Sequence, residues 1–172
     1  MKENTSIHNK KYVLAVTIII VIGILIRIPF FDYASADYDV FLSDWFNKLL
    51  DINGISKIGL SFGDYTCPYI YILSLLTYIP VSSLYSIKAV SCFFDFILAG
   101  IIYLIVTELT KNKTKSVVAF GVILLSPAVI QNSAVWAQCD SIFTSFIAIS
   151  LLCIIKERPL LASTFFWHSF FV

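Results

Sequence analysis

From Tyr12 to Phe31 the chain carries one charge, Arg27, near the far end of a run dominated by Val, Ile and Leu. A helix needs about 20 such residues to cross the hydrocarbon core of a bilayer. In lipid a helix also satisfies its own backbone polar groups, so this run reads as a spanning helix. No small-residue cleavage site follows it, and it therefore reads as an anchor rather than a removed signal peptide. The rest of the chain shares the bias. Of 172 residues, 59% are hydrophobic and 13% charged, against about 25% charged in an ordinary soluble domain. Too few polar groups exist to cover a soluble globule. A free cytosolic enzyme and a disordered tail are excluded, and a net charge of +1 provides no basic stripe for nucleic acid.

Charge placement orients the segments. Lys2, Lys10 and Lys11 precede the first run, which places the N-terminus in the cytoplasm by the positive-inside rule. The stretch that follows holds Asp32, Asp37, Asp39, Asp44, Asp51 and Asp64 against Lys48 and Lys57, and reads as an acidic outer loop over residues 32–84. Within it, Leu42, Trp45, Phe46, Leu49 and Leu50 recur at helical spacing between polar residues, predicting a short amphipathic helix over Asp39–Leu50 lying along the interface. The apolar piece from Pro68 to Pro80 is too short to span comfortably. Placing it in the interface puts Lys111, Lys113, Lys115, Lys156 and Arg158 on the cytoplasmic side with the N-terminal lysines. The remaining spans are then Tyr85–Thr107 inward, Ser116–Gln131 outward and Ser141–Ile155 inward, with another beginning near Leu160. The expected fold is all-α, integral to the membrane and multi-pass, with interfacial or juxtamembrane helices in the outer loop.

Chemistry-bearing motifs are few. There is no Gly-rich phosphate loop, no H-E-x-x-H, no G-x-S-x-G and no Ser/His/Asp arrangement. Cys67, Cys92, Cys139 and Cys153 form no C-x-x-C and no zinc-like set with His8 or His168, and most read as small apolar core residues. Carboxylate placement stands out instead: Asp37, Asp39, Asp64 and Asp140 all fall on the outer face in this topology. At a lipid–water boundary such a group is suited to general-base work. Each also has a plain structural reading, Asp37, Asp64 and Asp140 as helix caps and Asp39 as a first-turn acid. Asp95, deep in a span, calls for a partner on another helix or a cavity. Arg27 is either a snorkelling anchor or a cation for a lipid phosphate. Trp136 reads as an interfacial anchor.

Three segments carry a family resemblance. Ser35-Ala-Asp-Tyr-Asp-Val-Phe-Leu-Ser-Asp-Trp45 resembles the first outer loop of GT-C class membrane glycosyltransferases, and is most similar to bacterial mannosyltransferase-like proteins related to the GPI mannosyltransferases. Phe62-Gly-Asp-Tyr-Thr-Cys-Pro-Tyr-Ile-Tyr-Ile-Leu73 resembles the aromatic helix after that loop. Asn132-Ser-Ala-Val-Trp-Ala-Gln-Cys-Asp-Ser141 resembles a later W-x-Q-x-D segment. Their order and spacing match from Arg27 to Leu161.

The resemblance implies an inverting hexosyltransferase of the bacterial cytoplasmic membrane, mannosyl or other. It would take sugar from a polyprenyl- or dolichyl-phosphate donor and pass it to a glycan, lipid or protein acceptor on the outer face. Asp37 takes the role of catalytic base, with Asp39 in reserve. Arg27, Asp64, Trp136, Gln138 and Asp140 are the candidates for substrate binding. No cofactor is implied with certainty; a divalent metal held by the carboxylates ranks below sugar hydrogen bonding, because no dense ligand cluster is visible. Members of the class are much longer, so the resemblance further implies that residues 1–172 are one GT-C-like module incomplete at the C-terminus, inactive if the donor-phosphate groups lie beyond it. The alternatives are a membrane polysaccharide polymerase or ligase, a non-catalytic membrane subunit, and a transporter.

Overall fold

The computed structural model describes residues 2–51 and 67–169. Among these residues every regular element is helical, and no strand occurs. The first helix, α1 (Lys2–Arg27), ends in a 3₁₀ turn at Ile28–Phe30, where Pro29 can continue the right-handed path without an amide hydrogen. An i→i+5 turn over Tyr38–Leu42 runs into α2 (Ser43–Asp51), and α3 covers Cys67–Leu76. The long α4 (Ser83–Thr110) is followed by α5 (Lys113–Leu124), a short α6 (Pro127–Ile130), a second i→i+5 turn at Gln131–Val135, α7 (Asp140–Ile155) and α8 (Pro159–Ser169).

Among the described residues two helices, Lys10–Phe30 and Ser83–Thr110, are long and apolar enough to cross a membrane. A third crossing is formed if α5 and the segment Pro127–Val135 count as one span. This crossing holds the expected Ser116–Gln131 span, and its path bends by 43° at a break. Pro127 explains the bend, since it removes an amide donor and its ring disfavours helix at the residue before it, Ser126.

The chain has two chemically distinct ends, defined by contacts. At the basic end Tyr12 meets Thr114 across a 3.2 Å hydrogen bond, while Glu108 bridges Lys111 at 2.7 Å and Lys156 at 3.1 Å. Asn112 caps α5, its side chain accepting from the Thr114 and Lys115 amides. At the opposite, acidic end sit Asp32, Asp37 and Asp140 with the segments that hold them. Between the ends, α5 packs against both α1 and α4 through Val16, Ile19, Ile20, Ala99, Phe120 and Leu124. Helix α7 packs on α4 through Leu98, Ile101, Ile105 and Ala148.

The amphipathic helix differs from its expected setting. Its stripe of Leu42, Trp45, Phe46 and Leu49 is buried against Tyr69, Ile70, Leu73 and Leu76 of α3, and against Ile87, Cys139 and Ile142. Protein rather than lipid covers that face, so the element closes the acidic end of the bundle. Leu50 alone of the expected stripe remains exposed. Full burial of each large apolar side chain contributes about 1.5–3 kcal/mol, which is what fixes α2 and α3 as a lid.

Candidate functional site at the acidic end

Asp95 is the organising residue beneath this end. Its carboxylate is fully buried and accepts hydrogen bonds from three other elements. Arg27 of α1 donates from Nε at 3.2 Å and Nη2 at 2.8 Å, Ser133 donates at 2.5 Å, and Ser141 of α7 also donates. Arg27 spends further donors on the carbonyls of Gly23 and Leu124. A partner for Asp95 on another helix was the expected resolution, and Arg27 is that partner. The snorkelling role for Arg27 is corrected: the residue is 2% exposed and points into the bundle, because an unpaired Asp95 in that setting would be far costlier than a buried pair. In this position its guanidinium is directed at protein groups rather than at the surface.

Lys88 performs a related task. Fully buried, it donates to the carbonyls of Phe30, at 2.5 Å, and Tyr33. A cation there satisfies the carbonyls left open where α1 and its 3₁₀ turn end. It thereby fixes where the chain leaves the bundle toward Asp37.

Above this layer, Asp37 and the Trp136–Asp140 segment meet. Gln138 donates from Nε2 to Oδ2 of Asp37 at 2.6 Å, and the Ser35 hydroxyl donates to the Trp136 carbonyl at 3.1 Å. The capping role weighed for Asp37 is not taken up by its side chain. Ser35 does that work instead, accepting from the Tyr38 amide at 3.2 Å. Among the described residues Gln138 is the only partner of the Asp37 carboxylate, which leaves Oδ1 open. Asp39 is exposed two residues on. Asp140 is the first residue of α7, where a negative charge favours the helix dipole, but its side chain makes no cap and instead accepts from Asn132 at 2.9 Å. Trp136 is exposed at this end. Asp64 lies outside the described residues.

The backbone here is unusual on both sides. An i→i+5 turn follows Asp37 and another precedes Trp136; such turns recur at functional sites. Ala137 adopts φ 61°, in the left-handed region that glycine ordinarily fills, and is completely buried. Its amide donates to the Ser133 carbonyl at 3.1 Å and the Gln138 amide to that of Asn132 at 3.0 Å, so the helix ends in a tight reversal. That reversal is what turns Gln138 back toward Asp37.

The structure thus joins Asp37 to Gln138 and the neighbouring Ser35 to Trp136, leaves Asp140 on Asn132, and places Arg27 in the layer below. Sequence reasoning gave no role to Ser35, Ser133 and Ser141. Only their polar character within apolar surroundings could have marked them. No three His, Cys, Asp or Glu side chains converge to hold a metal among the described residues.

The described part of this chain is an all-helical protein with two or three membrane-length apolar helices and a polar site at one end. Comparisons with family models, curated proteins and solved structures give no match.

Proposed function

We propose that this protein is a multi-pass membrane hexosyltransferase that takes sugar from a polyprenyl-phosphate donor at the outer face of the bacterial cytoplasmic membrane. The observation that carries the proposal is the half-buried Asp37 carboxylate. One of its oxygens is held by Gln138 from 101 residues away while the other stays open, at the end of the bundle opposite Lys111 and Lys156.

In this mechanism Oδ1 of Asp37 takes the proton from an acceptor hydroxyl as that oxygen forms a bond to the anomeric carbon. The bond from that carbon to the phosphate oxygen breaks, its electron pair leaves with the polyprenyl phosphate, and the configuration inverts. Gln138 holds the carboxylate in one rotamer, with the other oxygen left toward the acceptor. Asp39, exposed nearby, is the reserve base. Trp136 and Asp140 offer an aromatic face and a hydrogen-bond acceptor to a sugar.

A transporter reading draws on the buried Arg27–Asp95 pair, since intramembrane charges often line transport paths. Ser133, Ser141 and two carbonyls close around that pair, however, which suits a structural lock better. The test of the catalytic reading is Asp37→Asn in membranes carrying the whole gene product. Transfer from a lipid-phosphate sugar is expected to fall by about 10²- to 10⁴-fold. Near-normal transfer would defeat the assignment.

A further inference from the structure

The first turns of α4 fasten the segment that leads to Asp37. Lys88 takes the Phe30 and Tyr33 carbonyls, as described above. Tyr85 stacks on Phe31, with ring centres 6.3 Å apart, and its hydroxyl donates to Asp32. Ser83, the first residue of α4, shares a 2.7 Å hydrogen bond with the Tyr38 hydroxyl. Residues 30–38 therefore run back along α4 toward its start, tied down at intervals, and the last tie is made by the residue next to Asp37.

Asp37 has helical backbone angles, φ −64° and ψ −38°, and Tyr38 opens the i→i+5 turn that follows. Successive side chains on such a path point about 100° apart. The Tyr38 ring packs against the apolar cluster shared by α2 and α3, while Asp37 turns to Gln138. Packing alone lets a flat ring slide or tilt, whereas a hydrogen bond holds distance and angle within narrow limits. Among the described residues neither the Tyr38 nor the Ser83 hydroxyl has another partner. Their bond joins a rigid ring to the start of the longest helix, so it sets the rotation of the turn about its own axis. That rotation decides where Oδ1 of Asp37 lies. Gln138, on a longer and more flexible arm, can follow the carboxylate but cannot fix the backbone that carries it.

We infer that Tyr38 is a positioning residue of the transfer site: its hydrogen bond to Ser83 fixes the turn that carries Asp37, keeping Oδ1 aimed at the acceptor while Gln138 holds Oδ2. The inference rests on Asp37 being the base. A small displacement of a reacting group is enough to slow a positioned reaction. With the ring still packed, loss of the hydroxyl alone leaves most of the placement intact, and the effect is correspondingly moderate.

The test is a kinetic cycle in membranes carrying the whole gene product, with transfer from a lipid-phosphate sugar as the readout. Tyr38→Phe removes only the hydroxyl and is expected to lower kcat by about three- to tenfold with KM unchanged. Ser83→Ala should give the same loss, and the two together no more than either alone. Ser83→Thr keeps a hydroxyl and should recover most of what Ser83→Ala loses. In the Asp37→Asn background Tyr38→Phe is expected to lower the rate no further. A second readout needs no turnover. Asp37→Cys and Gln138→Cys, joined by a short bis-thiosulfonate reagent and counted as the bridged peptide by mass spectrometry, should bridge several-fold more slowly once Tyr38→Phe is added. Unchanged kcat or unchanged bridging in Tyr38→Phe, with transfer lost in Asp37→Asn, would overturn the inference and leave the base assignment standing. Losses from the two hydroxyls that multiply would do the same, as would an equal loss in the Asp37→Asn background, the mark of a merely structural contact. Near-normal transfer by Asp37→Asn, by contrast, would overturn the base assignment and this inference with it.

Discussion

The two ends of the bundle are built by different rules. At the basic end local contacts stand beside two that reach further, the Tyr12–Thr114 hydrogen bond and the Glu108–Lys156 pair. Lys111 reaches Glu108 three residues back, and Asn112 caps the helix that begins at the next residue. At the acidic end the contacts join residues far apart in sequence: Arg27 to Asp95, Ser133 and Ser141 to Asp95, Ser35 to Trp136, Asp37 to Gln138. Local contacts end a helix wherever it stops and constrain little else. Long-range ones place side chains from separate helices in a fixed relation, which is what a site with positioned groups requires. The acidic end also contains both i→i+5 turns and a buried left-handed alanine, costs that are tolerated where surrounding structure over-determines the backbone.

Breaking the lock beneath the acidic end has the largest expected effect on stability. Asp95→Leu leaves Arg27 buried without its counter-ion, and loses about 3–5 kcal/mol. The double change Arg27→Met with Asp95→Leu should recover much of that loss, because removing both charges also removes their desolvation. Thermal unfolding in detergent, followed by a thiol-reactive dye on buried Cys92, reports both. A double variant no better than the single one would mean that the serine network, rather than the pair, carries the interaction.

Ala137→Val is expected to come next. A β-branched side chain at φ 61° in a fully buried position combines left-handed strain with overpacking, about 2–4 kcal/mol together. The same unfolding measurement checks it. At the basic end, Asn112→Ala removes one local cap and costs about 1 kcal/mol. That change should leave sugar transfer intact, whereas Ala137→Val should lower it by turning Gln138 away from Asp37. Equal effects of the two on transfer would erase the distinction between the ends.

This division also explains what the sequence made legible. The anchor helix, the α2 periodicity and the segregation of lysines are local patterns, and each can be read from a short window. That Asp95 needed a partner was legible from its depth, but the partner was not. Arg27 lies 68 residues away, and nothing in either segment shows that their helices adjoin. The capping readings of Asp37 and Asp140 failed for a related reason. Ser35 accepts the local amide, which releases Asp37 to an amide side chain 101 residues distant. The lid role of α2 is not legible from its interfacial periodicity, because an amphipathic stripe looks alike whether lipid or α3 covers it. Ala137 gave no signal, since alanine is not the residue a left-handed position ordinarily selects.

The central claim is that Gln138 serves transfer by holding Asp37, and the direct test is a double-mutant cycle on sugar transfer in membranes carrying the whole gene product. Gln138→Ala alone removes one charge-assisted hydrogen bond and is expected to lower the rate by roughly tenfold or more. In the Asp37→Asn background the same change should lower it no further, because the base it positions is already gone. Two losses that simply multiply would show that the residues act independently and would contradict the account.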